Sequence, residues 1–145
     1  MNNHSITLHS PSDFESMKKA GQLASDVLDY LTPFVEPKVT TGFLNDLAHD
    51  YIVSKGAIPA PLNYKGFPKS TCISVNHVVC HGIPGDKKLN SGDILNIDVT
   101  VILDGWYGDT SRMFFAGKPP IKAKRLCDIT YQCLMVGIEA SKPGA

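Results

Sequence analysis

Residues 91–117 read SGDILNIDVTVILDGWYGDTSRMFFAG, and this stretch decides the fold. Positions 94–102 are rich in Ile, Val and Thr, which suit a pleated, half-buried strand. Asp104-Gly105 is a strong hairpin signal, because a type I′ turn needs positive φ at both central positions. The return strand is expected over 106–116. A two-residue turn then sets Leu103 opposite Trp106, Ile102 opposite Tyr107, Thr100 opposite Asp109 and Asp98 opposite Ser111.

That register has a chemical consequence. Side chains alternate faces along a strand, so Asp98, Thr100, Asp109 and Ser111 share one face. Ile97, Val99, Val101 and Leu103 take the other, the core side. Asp98 and Asp109 become diagonal neighbours with Cβ atoms roughly 7–8 Å apart. Asp is depleted in strands, and two ionised carboxylates brought to ~4 Å repel by about 4 kcal/mol at an effective dielectric near 20. They must share a proton, hold a cation or diverge into water. The residues alone leave two readings open, a wet sheet face or an oxygen-ligand site for a hard cation such as Mg, Mn or Ca.

Outward from this hairpin, the chain of 145 residues is long enough for one domain with a real core. Apolar content of 43% and charged content of 19% are globular rather than disordered values. Fourteen basic against 14 acidic residues give no net charge, so nothing points to a nucleic-acid surface. No apolar run is long enough to span a membrane, and the first residues lack a basic-then-apolar leader pattern. The expected compartment is the cytoplasm. Cys72, Cys80, Cys127 and Cys133 contain no C-x-x-C pair, which argues against a structural zinc site and for reduced thiols. Cys127 and Cys133 fall on different faces of a helix.

Residues 1–10 read as loose. Ser12 to Glu15 fits a capping box with Ser12 as N-cap and Glu15 at N3, opening a helix whose stripe is Phe14, Met17, Gly21, Ala24, Val27, Leu28 and Leu31. Thr40 or Thr41 caps a second helix with Leu44, Leu47, Ala48, Tyr51 and Ile52 on its apolar face, and Gly56 suits its C′ position. His49, mid-helix, is given a structural role. Residues 57–71 form a Pro-rich loop carrying Tyr64 and Phe67. Residues 72–83 alternate as a strand, which would put His77 and His81 on one face and Cys80 on the other, against a Cys80–His81 nucleophile. A third helix is expected over 121–141 with a stripe of Leu126, Ile129, Cys133, Val136 and Ala140. The order implies an α+β architecture, helices on one face of a mostly antiparallel sheet.

Four segments, NYKGFPKS at 63–70, NHVVCHGIP at 76–84, GDILNIDVT at 92–100 and DGWYGDTSRMF at 104–114, resemble type I methionine aminopeptidases. The resemblance runs from about Ser12 to the last residue. It implies the pita-bread fold, in which two related halves enclose a dinuclear metal site, and removal of the initiator methionine from nascent chains whose second residue is small. Asp98 and Asp109 match the two aspartate ligands, Asp109 bridging both metals and Asp98 binding the second only. His81 matches a catalytic histidine that contacts substrate, which leaves His77 a bystander. Tyr64, Phe67, Cys72 and, more loosely, Pro61 match the lining of the methionine pocket. A metal-activated hydroxide is the implied nucleophile, with two divalent ions (Co, Mn, Fe or Zn) as cofactors.

The family's remaining ligands, one histidine and two glutamates, lie in a second half that these 145 residues do not match; His4, His9, His49 and His77 are not in those motifs. The chain is therefore expected to be a partial catalytic domain, residues 11–117 forming the first half and 118–145 the first helix of the second, with an incomplete site whose activity alone the sequence does not fix. The expected partners are nascent polypeptide N-termini, at the ribosome, with a monomeric complete enzyme. Two alternatives are a non-catalytic pita-bread binding module and a related proline-directed aminopeptidase.

Overall fold

The computed structural model describes residues 6–145. The expectation of a loose N-terminus falls partly on residues 1–5, outside the described residues; residues 6–10 are exposed and form neither helix nor strand. Helix α1 runs Pro11–Leu31 and α2 Thr41–Ser54. Four strands follow, β1 Ile58–Pro59, β2 Cys72–Val75, β3 Ile94–Leu103 and β4 Trp106–Phe115, and then helix α3, Ile121–Ala140. Among the described residues no helix is long and apolar enough to cross a membrane.

The sheet is antiparallel throughout and β3 is its spine. The hairpin β3–β4 has the expected register, with Leu103 opposite Trp106, Thr100 opposite Asp109 and Asp98 opposite Ser111. Asp104 and Gly105 both take positive φ (50° and 83°), as the tight turn demands. On its other edge β3 pairs with β1 at Val101 and Ile102 and with β2 from Leu95 to Asp98.

One face of this sheet is dry. Ile97, Val99 and Val101 are fully buried beneath Leu23, Ala24, Val27, Leu28 and Leu31 of α1 and Leu44, Ala48 and Ile52 of α2. Gly108 lets the two layers approach this closely, since a Cβ there would overlap the backbone of Ala20 and Gly21. Arg112, on the same face of β4, reaches Asp29 of α1 at 2.7 Å.

Three sequence expectations are corrected. The N-cap of α1 is Ser10, not Ser12, with Asp13 rather than Glu15 at N3 accepting the Ser10 N–H at 2.8 Å. Pro11 decides between the two overlapping patterns, because proline belongs at the first helical position. That hydrogen bond also holds the Asp13 carboxyl below its ordinary range. The start of the expected α1 stripe lies in solvent, with Phe14 60% and Met17 56% exposed, because the sheet underlies only the later turns. The strand expected over 72–83 ends at Val75, where Asn76 turns the chain with φ of 54°.

Helix α3 stands apart. Of its buried residues there is only Cys127, while Ile121, Leu126, Ile129, Leu134, Val136 and Ile138 are exposed. Lys122, Lys124, Arg125, Asp128, Gln132 and Glu139 give α3 a polar side, and the broad apolar face opposite is of the kind that ordinarily packs against another element.

Candidate metal and substrate site

The second face of the sheet is the open one. Alternation that buries Ile97, Val99 and Val101 turns Asp98, Thr100, Tyr107 and Asp109 outward, and β2 adds Cys72 directly across from Asp98. These side chains floor a cavity of about 760 Å³. Its wall is the loop after β1, with Pro61, Tyr64 and Phe67, and its far side is His81.

Two devices hold these walls. The loop is anchored by the side-chain oxygen of buried Asn45, on α2, which accepts from the Ser70 N–H (3.0 Å), the Thr71 N–H (3.1 Å) and the Thr71 hydroxyl (3.2 Å). His49 Nδ1 lies 2.8 Å from the Ser70 hydroxyl, in keeping with the structural role expected for it. His81 is held by a hook. After Asn76 the chain doubles back along β2, so that Gly82 O accepts from Ile73 N (2.9 Å) and Gly82 N donates to the Ser74 hydroxyl (3.1 Å). A Cβ at Gly82 would collide with the Ile73 carbonyl, so only glycine permits this approach. His81 itself has a left-handed backbone, φ 53°.

His77 and His81 are thus not four residues apart on one strand face. His81 lines the cavity, whereas His77 lies at a separate hollow beside Asp93 and Pro120. Cys80 is exposed and is not part of the cavity wall. All four cysteines are free thiols.

Burial raises the Asp98 pKa, and the neighbouring Asp109 charge raises it further, while His81 opposes the shift. Burial likewise pushes the Cys72 thiol up to about 11, with the charges of Asp98, Cys80 and Asp109 adding to it. Cys72 therefore stays a neutral thiol and behaves as a small apolar wall group. A carboxylate whose charged form burial and the neighbouring Asp109 both disfavour, as at Asp98, is the donor chemistry a divalent cation relieves, and the oxygens of the two side chains suit a hard or borderline ion. Among the described residues, no third His, Cys, Asp or Glu joins them in a group of three that could hold a metal ion. The pair fits a share of a ligand set rather than the whole of it.

Every residue singled out from the sequence, Pro61, Tyr64, Phe67, Cys72, His81, Asp98 and Asp109, lies on this one cavity. Tyr107, Lys65 and Ile83 were missed. The register already placed Tyr107 on the Asp109 face, two residues away on the same strand; Lys65 and Ile83 carried no periodic signal.

Helices on one face of an antiparallel sheet, with a carboxylate-floored cavity on the other, are the arrangement of a pita-bread half, and the solved structures bear this out. The same fold is seen in a Xaa-Pro dipeptidase from Bacillus anthracis, at TM-score 0.81 over 95% of this chain and 38% of that one; 18% identity makes this a likeness of fold alone. The model of metallopeptidase family M24 matches residues 15–145, and the chain belongs to that family. It is 63% identical over 140 residues to a methionine aminopeptidase of Rickettsia prowazekii, covering 97% of this chain and 54% of the relative. A crystal structure of methionine aminopeptidase from that organism superposes with TM-score 0.95 at 62% identity, over 97% of this chain and 57% of that one. The chain spans about half the length of the relatives it matches.

Proposed function

We propose that this chain supplies the metal- and substrate-binding face of an aminopeptidase that removes the initiator methionine from nascent proteins whose second residue is small. On this reading residues 11–117 form the first half-shell and residues 118–145 begin the second. The observation that carries it is the convergence of two strand carboxylates, a histidine and an aromatic and sulfur lining on one cavity. The 63% identity to a protein named methionine aminopeptidase supports it. The exposed apolar surface of α3 is what a helix awaiting a second half would present.

Asp98 and Asp109 would hold the divalent metal, Asp109 as the ligand shared by two ions and Asp98 as the ligand of one. A divalent metal held there would supply Lewis-acid chemistry, polarisation of the scissile carbonyl and a more acidic water at neutral pH. Pro61, Tyr64, Phe67 and the neutral Cys72 thiol enclose the methionine side chain, whose polarisable thioether packs well against rings and sulfur. The free α-amino group sits at the Asp98 end of the cavity, which confines the enzyme to chain ends. His81 donates a ring N–H to the carbonyl oxygen as charge develops there, or to the leaving nitrogen. Asp109→Asn is expected to weaken metal binding more than Asp98→Asn, since a shared ligand serves both ions. Nascent N-termini at the ribosome, in the cytoplasm, are the partners this reading assigns, with a monomeric complete enzyme.

The test is methionine release from a Met-Ala-Ser peptide with Co, Mn or Fe(II). It is run on the 145-residue chain and on a fusion to the remaining part of the Rickettsia prowazekii relative. Release by the fusion, abolished by Asp109→Asn, supports the reading. A folded, metal-loaded fusion that releases nothing favours a non-catalytic binding module. Release only from proline-containing peptides would move the chain to the proline-directed peptidases.

A further inference from the structure

The cavity is electrically two-ended. Asp98 and Asp109 make its floor acidic, and of the residues that line it only one is a lysine or arginine, Lys65. Lys65 belongs to the loop that carries Tyr64 and Phe67, in a single 3-10 turn spanning Tyr64–Gly66. Its backbone is left-handed, φ 47° and ψ 34°, between Asn63 at φ 65° and Gly66 at φ 85°. Asparagine and glycine adopt that region readily; a lysine there is strained, and such strain persists where surrounding structure over-determines it. The surrounding structure does so here. Asn63 N donates to Phe67 O (2.8 Å), Phe67 N to Tyr64 O (2.9 Å) and Tyr64 N to Pro61 O (3.0 Å). The Lys65 ammonium lies 5.4 Å from the centre of the Tyr64 ring, within cation–π range. Among the described residues it takes part in no ion pair.

Lys65 is exposed on the same loop as Tyr64 and Phe67, so a peptide whose first side chain lies among Tyr64, Phe67 and Cys72 has this ammonium beside it. Resting on the reading above that the cavity takes a peptide amino end, we propose that Lys65 is a specificity-determining residue that favours peptides with an acidic side chain just beyond the small second residue. The basic rim complements that carboxylate as the acidic floor complements the ammonium. A charge at the rim of a binding site selects partners and orients them more than it adds affinity.

The test is a titration of the isotope-labelled 145-residue chain, followed through the amide signals of Gly66, Phe67 and Thr100. The titrants are Met-Ala-Asp amide and Met-Ala-Asn amide, in buffer with a chelator so that no catalysis is needed. The Asp peptide is expected to bind about two- to fivefold more tightly, the range an exposed ion pair supports. The preference should shrink at high salt. It should vanish in Lys65→Gln and in Lys65→Gly, the second of which also relieves the backbone and so cannot owe its effect to lost folding. Equal binding of the two peptides by the parent chain, or a preference that survives both substitutions, overturns the role of Lys65 alone. Binding of neither peptide overturns the peptide-pocket reading, and the role of Lys65 with it.

Discussion

Replacing Asn45 by alanine should damage the site from beneath without touching it. Asn45 is 4% exposed, and its side-chain oxygen accepts three hydrogen bonds from Ser70 and Thr71, the two residues before Cys72. Ser70 and Thr71 are themselves buried, so their N–H groups gain no water when the acceptor goes. A hydrogen bond contributes about 1 kcal/mol net, and an orphaned buried donor costs about 1–3 kcal/mol. Three bonds lost together, with partial relaxation, should cost on the order of 3 kcal/mol. For a chain of this size that is roughly a 10 °C fall in melting temperature. Thermal and urea unfolding measure the total, and amide exchange at Ser70 and Thr71 locates it. A loss below about 1 kcal/mol, with those amides still protected, would show that the loop is held by something other than this clamp.

Other expectations follow from the same packing. Gly108→Ala should destabilise by more than about 2 kcal/mol, because the added Cβ meets the backbone of Ala20 and Gly21, which has no flexible end to move aside; unfolding midpoints check it. In chelator at pH 8, Cys72 should react with a thiol reagent about a hundredfold more slowly than a thiol at the ordinary value of 9.0, since at about 11 its thiolate is that much scarcer. Because its folded pKa lies above its unfolded one, Cys72 binds its proton more tightly when folded. Its contribution to stability is present below pH 9 and is lost as pH rises toward 11, which Cys72→Ala should abolish. Charged substitutions at Leu126 and Leu134, exposed on α3, should leave stability within about 0.5 kcal/mol while lowering light scattering by the chain.

The hairpin was legible because its determinants are local. Asp104-Gly105 sets the turn, the turn sets the register, and alternation alone then puts Asp98 and Asp109 on one face and Val99 and Val101 on the other. The hook from Asn76 to Gly82 was not legible. It is written in contacts between distant residues, Asn76 with Asp93 and Ile94, and Gly82 with Ile73 and Ser74, which leave an apolar-polar alternation looking like a strand. The same holds for Asn45, a polar residue on an otherwise ordinary helix whose partners lie 25 and 26 residues on. The resemblance placed His81 in the site where strand geometry had paired it with His77. The first cap was missed for a narrower reason, two overlapping serine-to-acid patterns of which Pro11 selects the earlier.

The claim on which the rest depends is that the open face of β3 and β4 is where the metal sits. Addition of Mn(II) to the isotope-labelled chain tests this directly, because a paramagnetic ion broadens amide signals according to their distance from it. The expected result is broadening centred on Cys72, Asp98, Thr100 and Asp109 that disappears in Asp98→Asn and Asp109→Asn. Broadening centred elsewhere, or unchanged by both substitutions, would contradict it.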